Sequence, residues 1–131
     1  MRKITAVTLV GLVAGAVGFG GAAVAYAGLG GAQGPGVRAA AVVKADGSVV
    51  RSKGITGVRK LATGRYCIEL DADYNAARSV PVATKQWSAP WNSSVFVESD
   101  TTACGSAERY VLVSGGNNGA AADLAFHVIV P

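Results

Sequence analysis

The 131-residue sequence contains few of the side chains on which enzymes and metal sites depend. Charged residues make up 15% of it, below the usual quarter, and His127 is its one histidine. A single histidine excludes a histidine-rich zinc site, and the 37 positions between Cys67 and Cys104 are not a metal-ligand spacing. The sequence also lacks a G-x-S-x-G nucleophile elbow and a phosphate-binding P-loop. We therefore predict no catalytic residue, no metal and no cofactor, in a protein that is not an enzyme.

One polar segment has part of a calcium-loop pattern. Asp71, Asp73 and Asn75 place oxygen ligands at alternate positions. An EF-hand loop then requires a glycine and a glutamate where this chain has Ala76 and Val82. A polar loop is therefore favoured, with adventitious calcium binding as the alternative.

Two other arrangements of titratable groups offer little support for catalysis. Glu69, Asp71 and Asp73 alternate, which places them on one strand face, but so small a domain leaves little room for the cleft of a glycoside hydrolase. His127 lies in the last predicted strand, on the face opposite Phe126. A lone histidine in such a position is usually structural or at the surface.

The first 27 residues contain the three regions of a secretory signal peptide. Arg2 and Lys3 form a basic start, an apolar run follows, and Ala25-Tyr26-Ala27 provides the small-x-small site that signal peptidase accepts. We predict cleavage after Ala27 and a secreted, extracellular protein without membrane contact after cleavage. An uncleaved anchor is the alternative, because residues 4–27 are long enough to span a bilayer, although their five glycines argue against it.

Loss of the leader lowers the net charge from +4 to +2, which is small for a nucleic-acid binder. The nearest approach to a basic stretch alternates with glycine and apolar residues, which favours a solvated sheet face over a nucleic-acid interface. Its members are Lys44, Arg51, Lys53, Arg59, Lys60 and Arg65.

An even pair of cysteines in an exported protein indicates a disulfide, so we predict a bond between Cys67 and Cys104. Closing this loop restricts the unfolded chain by ~4 kcal/mol in the loop-entropy model. That is a large share of the stability of a small domain. The alternative, a catalytic thiol, requires a cysteine of low pKa beside a histidine.

The rest of the chain has the pattern of one β-domain. Residues 28–38 are rich in glycine and predict a flexible linker that holds no regular structure, and residues 39–131 form the domain. No part of this domain keeps helical apolar spacing for three turns. We predict an all-β fold, a small antiparallel β-sandwich or barrel of about seven to eight strands.

Local signals place several of these strands. Asp46-Gly47 predicts a two-residue hairpin, because both central residues have to accept positive φ. Residues 65–70 alternate, residues 80–84 contain a proline typical of an edge strand, and residues 115–119 predict a turn. In the alternating strand, Tyr66, Ile68 and Leu70 share one face, while Arg65, Cys67 and Glu69 share the other.

Four short motifs follow one another along the domain: Asp46-Gly47-Ser48, residues 54–58, residues 64–68 and residues 126–130. In this order they resemble an uncharacterised all-β module at the C-terminus of secreted actinobacterial proteins and of phage tail-fibre-like or collagen-like chains. The resemblance implies a display or binding domain with no catalytic residues. Its fibre-like members also imply that a homo-oligomer, such as a trimer, is to be considered.

Trp87 and Trp91 lie in a polar, proline-bearing loop. A tryptophan in such a loop can present a flat ring to a sugar or to a protein. The alternative, which the small number of aromatic residues favours for at least one ring, is that the rings cap the open end of the sandwich.

These observations support a secreted, non-catalytic β-domain that acts in binding or assembly, with an unknown protein or glycan partner and with Trp87 and Trp91 as contact residues. The alternative is a secreted inhibitor of an extracellular hydrolase, in which a rigid, disulfide-braced loop enters the enzyme's cleft.

The disulfide is tested by counting thiols. The exported protein, unfolded without reductant, is expected to give no reaction with a thiol reagent, and two thiols per chain after reduction. A count of two thiols before reduction would contradict the predicted bond.

Overall fold

The computed structural model describes residues 29–131, which form nine β-strands and one 3₁₀ helix, Ala76–Arg78. The predicted signal peptide, residues 1–27, lies outside the described residues. Within residues 29–131 no helix is long and apolar enough to cross a membrane. The strands are β1 Ala39–Val43, β2 Val49–Lys53, β3 Ile55–Ala62, β4 Arg65–Leu70, β5 Val82–Lys85, β6 Ser93–Glu98, β7 Tyr110–Asn117, β8 Ala120–Ala121 and β9 Phe126–Val130.

The strands form two antiparallel sheets, which confirms the predicted all-β sandwich. Sheet 1 has the order β2-β1-β9-β5, and sheet 2 has the order β3-β4-β7-β6, with the short β8 paired to β7. Strands β2 and β3 are consecutive in the chain yet belong to different sheets, and so do β5 and β6. The chain therefore passes from sheet to sheet at both lateral edges of the sandwich.

The core lies between the sheets and follows the alternation of the strands. Tyr66, Ile68 and Leu70 of β4, which the sequence predicts to share one face, are all fully buried. In sheet 1 the inward positions of β9 are Phe126, Val128 and Val130, at most 2% exposed. Side chains two positions apart share a face, so each strand contributes an apolar row to the core.

Tyr66 brings a hydroxyl group into this core, and hydrogen bonds satisfy it there. Its ring packs against Phe126 with centroids 5.0 Å apart, and its hydroxyl donates to the carbonyl oxygen of Ala45 at 2.6 Å. The same hydroxyl accepts from the backbone N–H of Leu124 at 3.1 Å. Burial raises the pKa of Tyr66 to about 12, so the hydroxyl keeps its proton and remains a donor.

The first hairpin is present, but its loop is longer than predicted. The backbone N–H of Lys44 donates to Ser48, and the N–H of Gly47 donates to Lys44, which leaves three residues in the loop. Gly47 alone adopts positive φ there, while the carboxylate of Asp46 accepts from Ser48 at 2.9 Å. A type I turn followed by one left-handed glycine has the same sequence signature as the two-residue turn.

The predicted turn at residues 115–119 begins too early. Gly115 and Gly116 belong to β7 and pair with Val95 and Ser94 of β6, and the turn follows at Asn118 and Gly119. Glycine is required at 115 for packing, because an added Cβ would meet the backbone of residue 122.

The glycine-rich segment before β1 makes regular contacts. The N–H of Gly30 donates to the hydroxyl of the buried Ser52, and the N–H of Ser52 donates to the carbonyl of Gly30. Gly31 forms a parallel bridge with Ser52, so the free edge of β2 is covered. The expectation that this segment holds no regular structure is wrong for these residues, while the domain boundary at residue 38 stays a prediction.

The disulfide between Cys67 and Cys104 is confirmed. Cys67 lies on the outer face of β4, and the loop after β6 folds back over this face to bring Cys104 to it. The guanidinium of Arg59 donates to the carbonyl of Cys104 at 2.7 Å and stacks on the ring of Tyr110. The part of the outer face of sheet 2 around Cys67 is thus covered by the protein's own chain.

Gly54 forms the corner between β2 and β3. Its φ is +67°, and a Cβ at this position would overlap the carbonyl oxygen of Arg38 and lie 3.1 Å from the ring of Tyr74. Gly119 has a similar φ of +83° but has open space around it. The two glycines separate the cost of a left-handed backbone from the cost of close packing.

We expect Gly119→Ala to lower the free energy of unfolding by about 1 kcal/mol, the cost of a left-handed residue with a side chain. Gly54→Ala is expected to lower it by more than about 3 kcal/mol, because backbone atoms have to move as well. Urea unfolding followed by far-ultraviolet circular dichroism measures both. Equal losses in the two variants would contradict the packing argument.

Candidate functional site

Residues 86–92 join β5 to β6 and contain both tryptophans of the chain. Strand β5 is an edge of sheet 1 and β6 is an edge of sheet 2. This loop therefore crosses the rim of the sandwich, where side chains that point outward have no second layer to pack against.

Both indole rings are open to solvent. Trp87 is 88% exposed and Trp91 is 83% exposed. The favoured expectation, that at least one ring caps the open end of the sandwich, is therefore wrong. Tyr66, Phe126 and aliphatic side chains already fill the space between the sheets. Both rings remain available for contact with another molecule.

The two rings pack against each other at the surface. Their centroids are 5.7 Å apart and their planes meet at 78°, an edge-to-face arrangement. Such a pair is favoured by the aromatic quadrupole, by about 0.5–1.5 kcal/mol beyond the area it buries. The contact holds the rings as a corner and leaves most of their area exposed.

Lys85, the last residue of β5, holds the end of the loop that leads into β6. Its ammonium group donates to the carbonyl oxygens of Trp91 at 3.1 Å and Ser93 at 2.8 Å, with a longer contact to Pro90 at 3.3 Å. An ammonium group has three donors, so all of them are used within the loop. The charge of Lys85 thus serves the loop's own backbone.

Gln86, the first residue of the loop, holds the end that follows β5. Its side-chain amide donates to the carbonyls of Val43 and Phe126, both at 3.3 Å, and its backbone N–H donates to Ala125 at 3.2 Å. Two tight turns then follow, from Gln86 to Ala89 and from residue 90 to residue 93. The backbone that carries the tryptophans is therefore held at both ends by the sandwich.

The acidic residues that the sequence offered for calcium binding or glycoside hydrolysis, Glu69, Asp71 and Asp73, do not form a site. The carboxylate of Glu69 pairs with the guanidinium of Arg109 at 3.0 Å. Strand β4 ends at Leu70, so Asp71 and Asp73 lie in the following loop and do not share a strand face with Glu69. Among residues 29–131, no three histidine, cysteine or acidic side chains are placed to hold a metal ion together.

The basic residues do not share one sheet face, in contrast to the expectation from sequence. Arg51 and Lys53 belong to sheet 1, whereas Arg59 and Lys60 belong to sheet 2. Several are already paired: Lys53 donates to the carbonyl of Gly34 at 2.9 Å and Lys60 pairs with a carboxylate at 2.6 Å. The charges are thus spread over the surface.

His127 lies on the exposed outer face of sheet 1, opposite Phe126, as predicted. Its neighbours on this face are Val42 of β1 and Thr84 of β5. The next row of the same face pairs Val82, 52% exposed, with Ile129, 41% exposed. This face is open and partly apolar.

Neither anchor of the loop is predicted by the sequence. Lys85 and Gln86 directly precede Trp87, but their partners are backbone carbonyls on other parts of the chain. Carbonyl groups occur at every residue, so no sequence pattern identifies them as the partners of a particular lysine or glutamine.

Replacing Trp87 or Trp91 with alanine is expected to lower the free energy of unfolding by at most about 1.5 kcal/mol, because each ring is exposed and loses only its contact with the other ring. The control Phe126→Ala removes a buried ring and is expected to cost about 3–5 kcal/mol. Acrylamide is also expected to quench the tryptophan emission of the folded protein about as strongly as that of the unfolded chain. Shielded emission, or unfolding of either tryptophan variant, would contradict the exposed placement.

No protein-family model, curated protein or solved structure matches this chain. The resemblance to the secreted β-module therefore stays a prediction from four motifs.

Proposed function

We propose that this protein is a secreted, non-catalytic β-domain that binds a partner through Trp87 and Trp91. The observation that carries the proposal is the pair of exposed indoles on a loop that is anchored at both ends. Binding, or assembly through such binding, uses this arrangement directly.

Tryptophan, with tyrosine and arginine, is enriched among the side chains that contribute most of the free energy at binding sites. Each ring can bury 150–250 Å² and loses little side-chain entropy when it does so. An exposed pair leaves that area in contact with water until a ligand covers it. A partner that covers both rings therefore gains hydrophobic free energy at this loop.

The two anchoring side chains, Lys85 and Gln86, keep the loop in one conformation before a ligand binds. The ammonium group of Lys85 and the amide of Gln86 hold the loop backbone before any ligand arrives. A loop that is already ordered does not lose that conformational entropy on binding. This is why the anchored loop supports a binding function better than two exposed tryptophans on a loose segment would.

The surroundings of the loop support a role without catalysis. Residues 86–94 contain no acid, base, cysteine or histidine that would act as a nucleophile or proton carrier. The disulfide and the absence of a membrane-spanning helix in residues 29–131 are compatible with export. Secretion itself is part of the proposal.

The alternative function, inhibition of an extracellular hydrolase, required a projecting loop braced by the disulfide. Cys104 is 5% exposed, and its carbonyl is bound by Arg59 on the outer face of sheet 2. A loop held against a sheet is poorly shaped to enter a cleft, so binding through the tryptophan loop is the better-supported function.

The proposal is tested by capture. The purified protein is immobilised, and culture supernatant and cell-envelope material are passed over the wild type, the double variant Trp87→Ala/Trp91→Ala and the control Phe96→Ala. Phe96 is 65% exposed on the outer face of sheet 2, so its loss matches the loss of an exposed aromatic ring elsewhere.

We expect the double variant to retain at least about tenfold less of the partner than the wild type, and the control to retain the same amount. Equal retention by the wild type and the double variant would overturn the proposed site. Circular dichroism of the variants shows that the comparison is made between folded proteins.

A further inference from the structure

We propose that the ligand of this loop is an uncharged carbohydrate, which the loop binds by stacking one sugar ring on an indole face. This inference rests on the proposed binding function of Trp87 and Trp91. It adds the chemical class of the ligand, which follows from charge, polar groups and ring geometry.

The loop offers no charge to a ligand. Residues 86–94 contain no lysine, arginine, aspartate or glutamate. The nearest cation in sequence, Lys85, directs its ammonium group to the carbonyls of Trp91 and Ser93. A phosphate, a sulfate or a uronic acid therefore finds no free cation in this loop, and nucleic acids and acidic glycans lose the interaction on which they depend.

The polar side chains that neighbour the tryptophans in sequence, or lie next to the loop, are amides and hydroxyls. Asn92 and Asn118 are both exposed and adjacent, since the N–H of Asn118 donates to the carbonyl of Asn92 at 3.3 Å. Ser88 and Ser94 are exposed as well. Amides and hydroxyls both donate and accept, which matches the hydroxyl groups around a sugar ring. The C–H face of the same sugar matches the indole face.

The angle between the rings limits the form of the ligand. At 78° the two indoles cannot lie against one flat surface together. The face of an insoluble, crystalline polysaccharide requires aromatic rings in a single plane. The corner instead accommodates one sugar ring of a soluble chain, with a face on one indole and an edge near the other.

The surroundings favour a small ligand over a protein interface. The nearest exposed large apolar side chains in sequence are Val82 on the outer face of sheet 1 and Phe96 on the outer face of sheet 2. These faces point in opposite directions, because they are the two outer faces of the sandwich. They do not extend the tryptophan pair into the patch of about 800 Å² that a standard protein interface needs on each partner.

Tryptophan fluorescence tests this inference, since every tryptophan of the chain lies in the loop. The protein is titrated with soluble, uncharged oligosaccharides of glucose, mannose, galactose and N-acetylglucosamine, and with an oligomer of a uronic acid. Phosphatidylcholine vesicles, with and without an anionic lipid, test a membrane surface. Emission wavelength and acrylamide quenching are measured at each point.

We expect saturable shielding by an uncharged oligosaccharide with a Kd on the order of 1 mM, as suits one sugar on an open surface. The uronic acid oligomer is expected to bind no more tightly, and an insoluble flat polysaccharide is expected not to retain the protein. Trp87→Ala and Trp91→Ala are each expected to weaken binding at least about tenfold, with Phe96→Ala unchanged. Lys85→Met keeps both rings but frees the loop, so it is expected to weaken binding several-fold.

Tighter binding of the uronic acid, or shielding by vesicles alone, would overturn the carbohydrate inference. So would the absence of shielding by every oligosaccharide. If capture from supernatant still depends on both tryptophans in that case, the proposed binding function stands with another ligand. If capture is independent of them, both proposals fail.

Discussion

The hydroxyl of Tyr66 joins parts of the chain that are far apart in sequence. It donates to Ala45 in the first hairpin and accepts from Leu124 just before the last strand, while its ring packs on Phe126. Both backbone groups belong to sheet 1 or its connections, whereas Tyr66 belongs to sheet 2. Because the site is buried, the pKa is about 12 and the hydroxyl keeps the proton that this bridge requires. The bridge therefore ties a central strand of sheet 2 to two connections of sheet 1.

Once the sheets are held in this way, their two outer faces differ. The disulfide holds Cys104 on sheet 2, and the guanidinium of Arg59 donates to the carbonyl of Cys104. Sheet 1 keeps an open face around His127 and Ile129. At the rim between the two sheets, the chain crosses over and exposes its tryptophans.

The tryptophan loop shows how a site is made from rim geometry. Lys85 ends an edge strand, so its long side chain can reach carbonyls of the loop that follows. Gln86 reaches the other way, to Val43 and Phe126. The rings are therefore held by the sandwich without being part of its core. Rigidity and exposure, which usually oppose each other, are combined because the anchors are polar side chains and the exposed groups are apolar.

The amino-acid pattern alone predicts the all-β class, the shared face of Tyr66, Ile68 and Leu70 in β4 and the disulfide. The sequence suffices for these because alternation at period two is a local signal and two cysteines allow one pairing. It did not determine the loop length at Gly47 or the end of β7 at Asn117, where one glycine signature fits several turns. Nor did it determine the exposure of Trp87 and Trp91, which depends on how much of the core Tyr66 and Phe126 already fill. Burial and anchoring are relations between distant residues, so only the tertiary structure decides them.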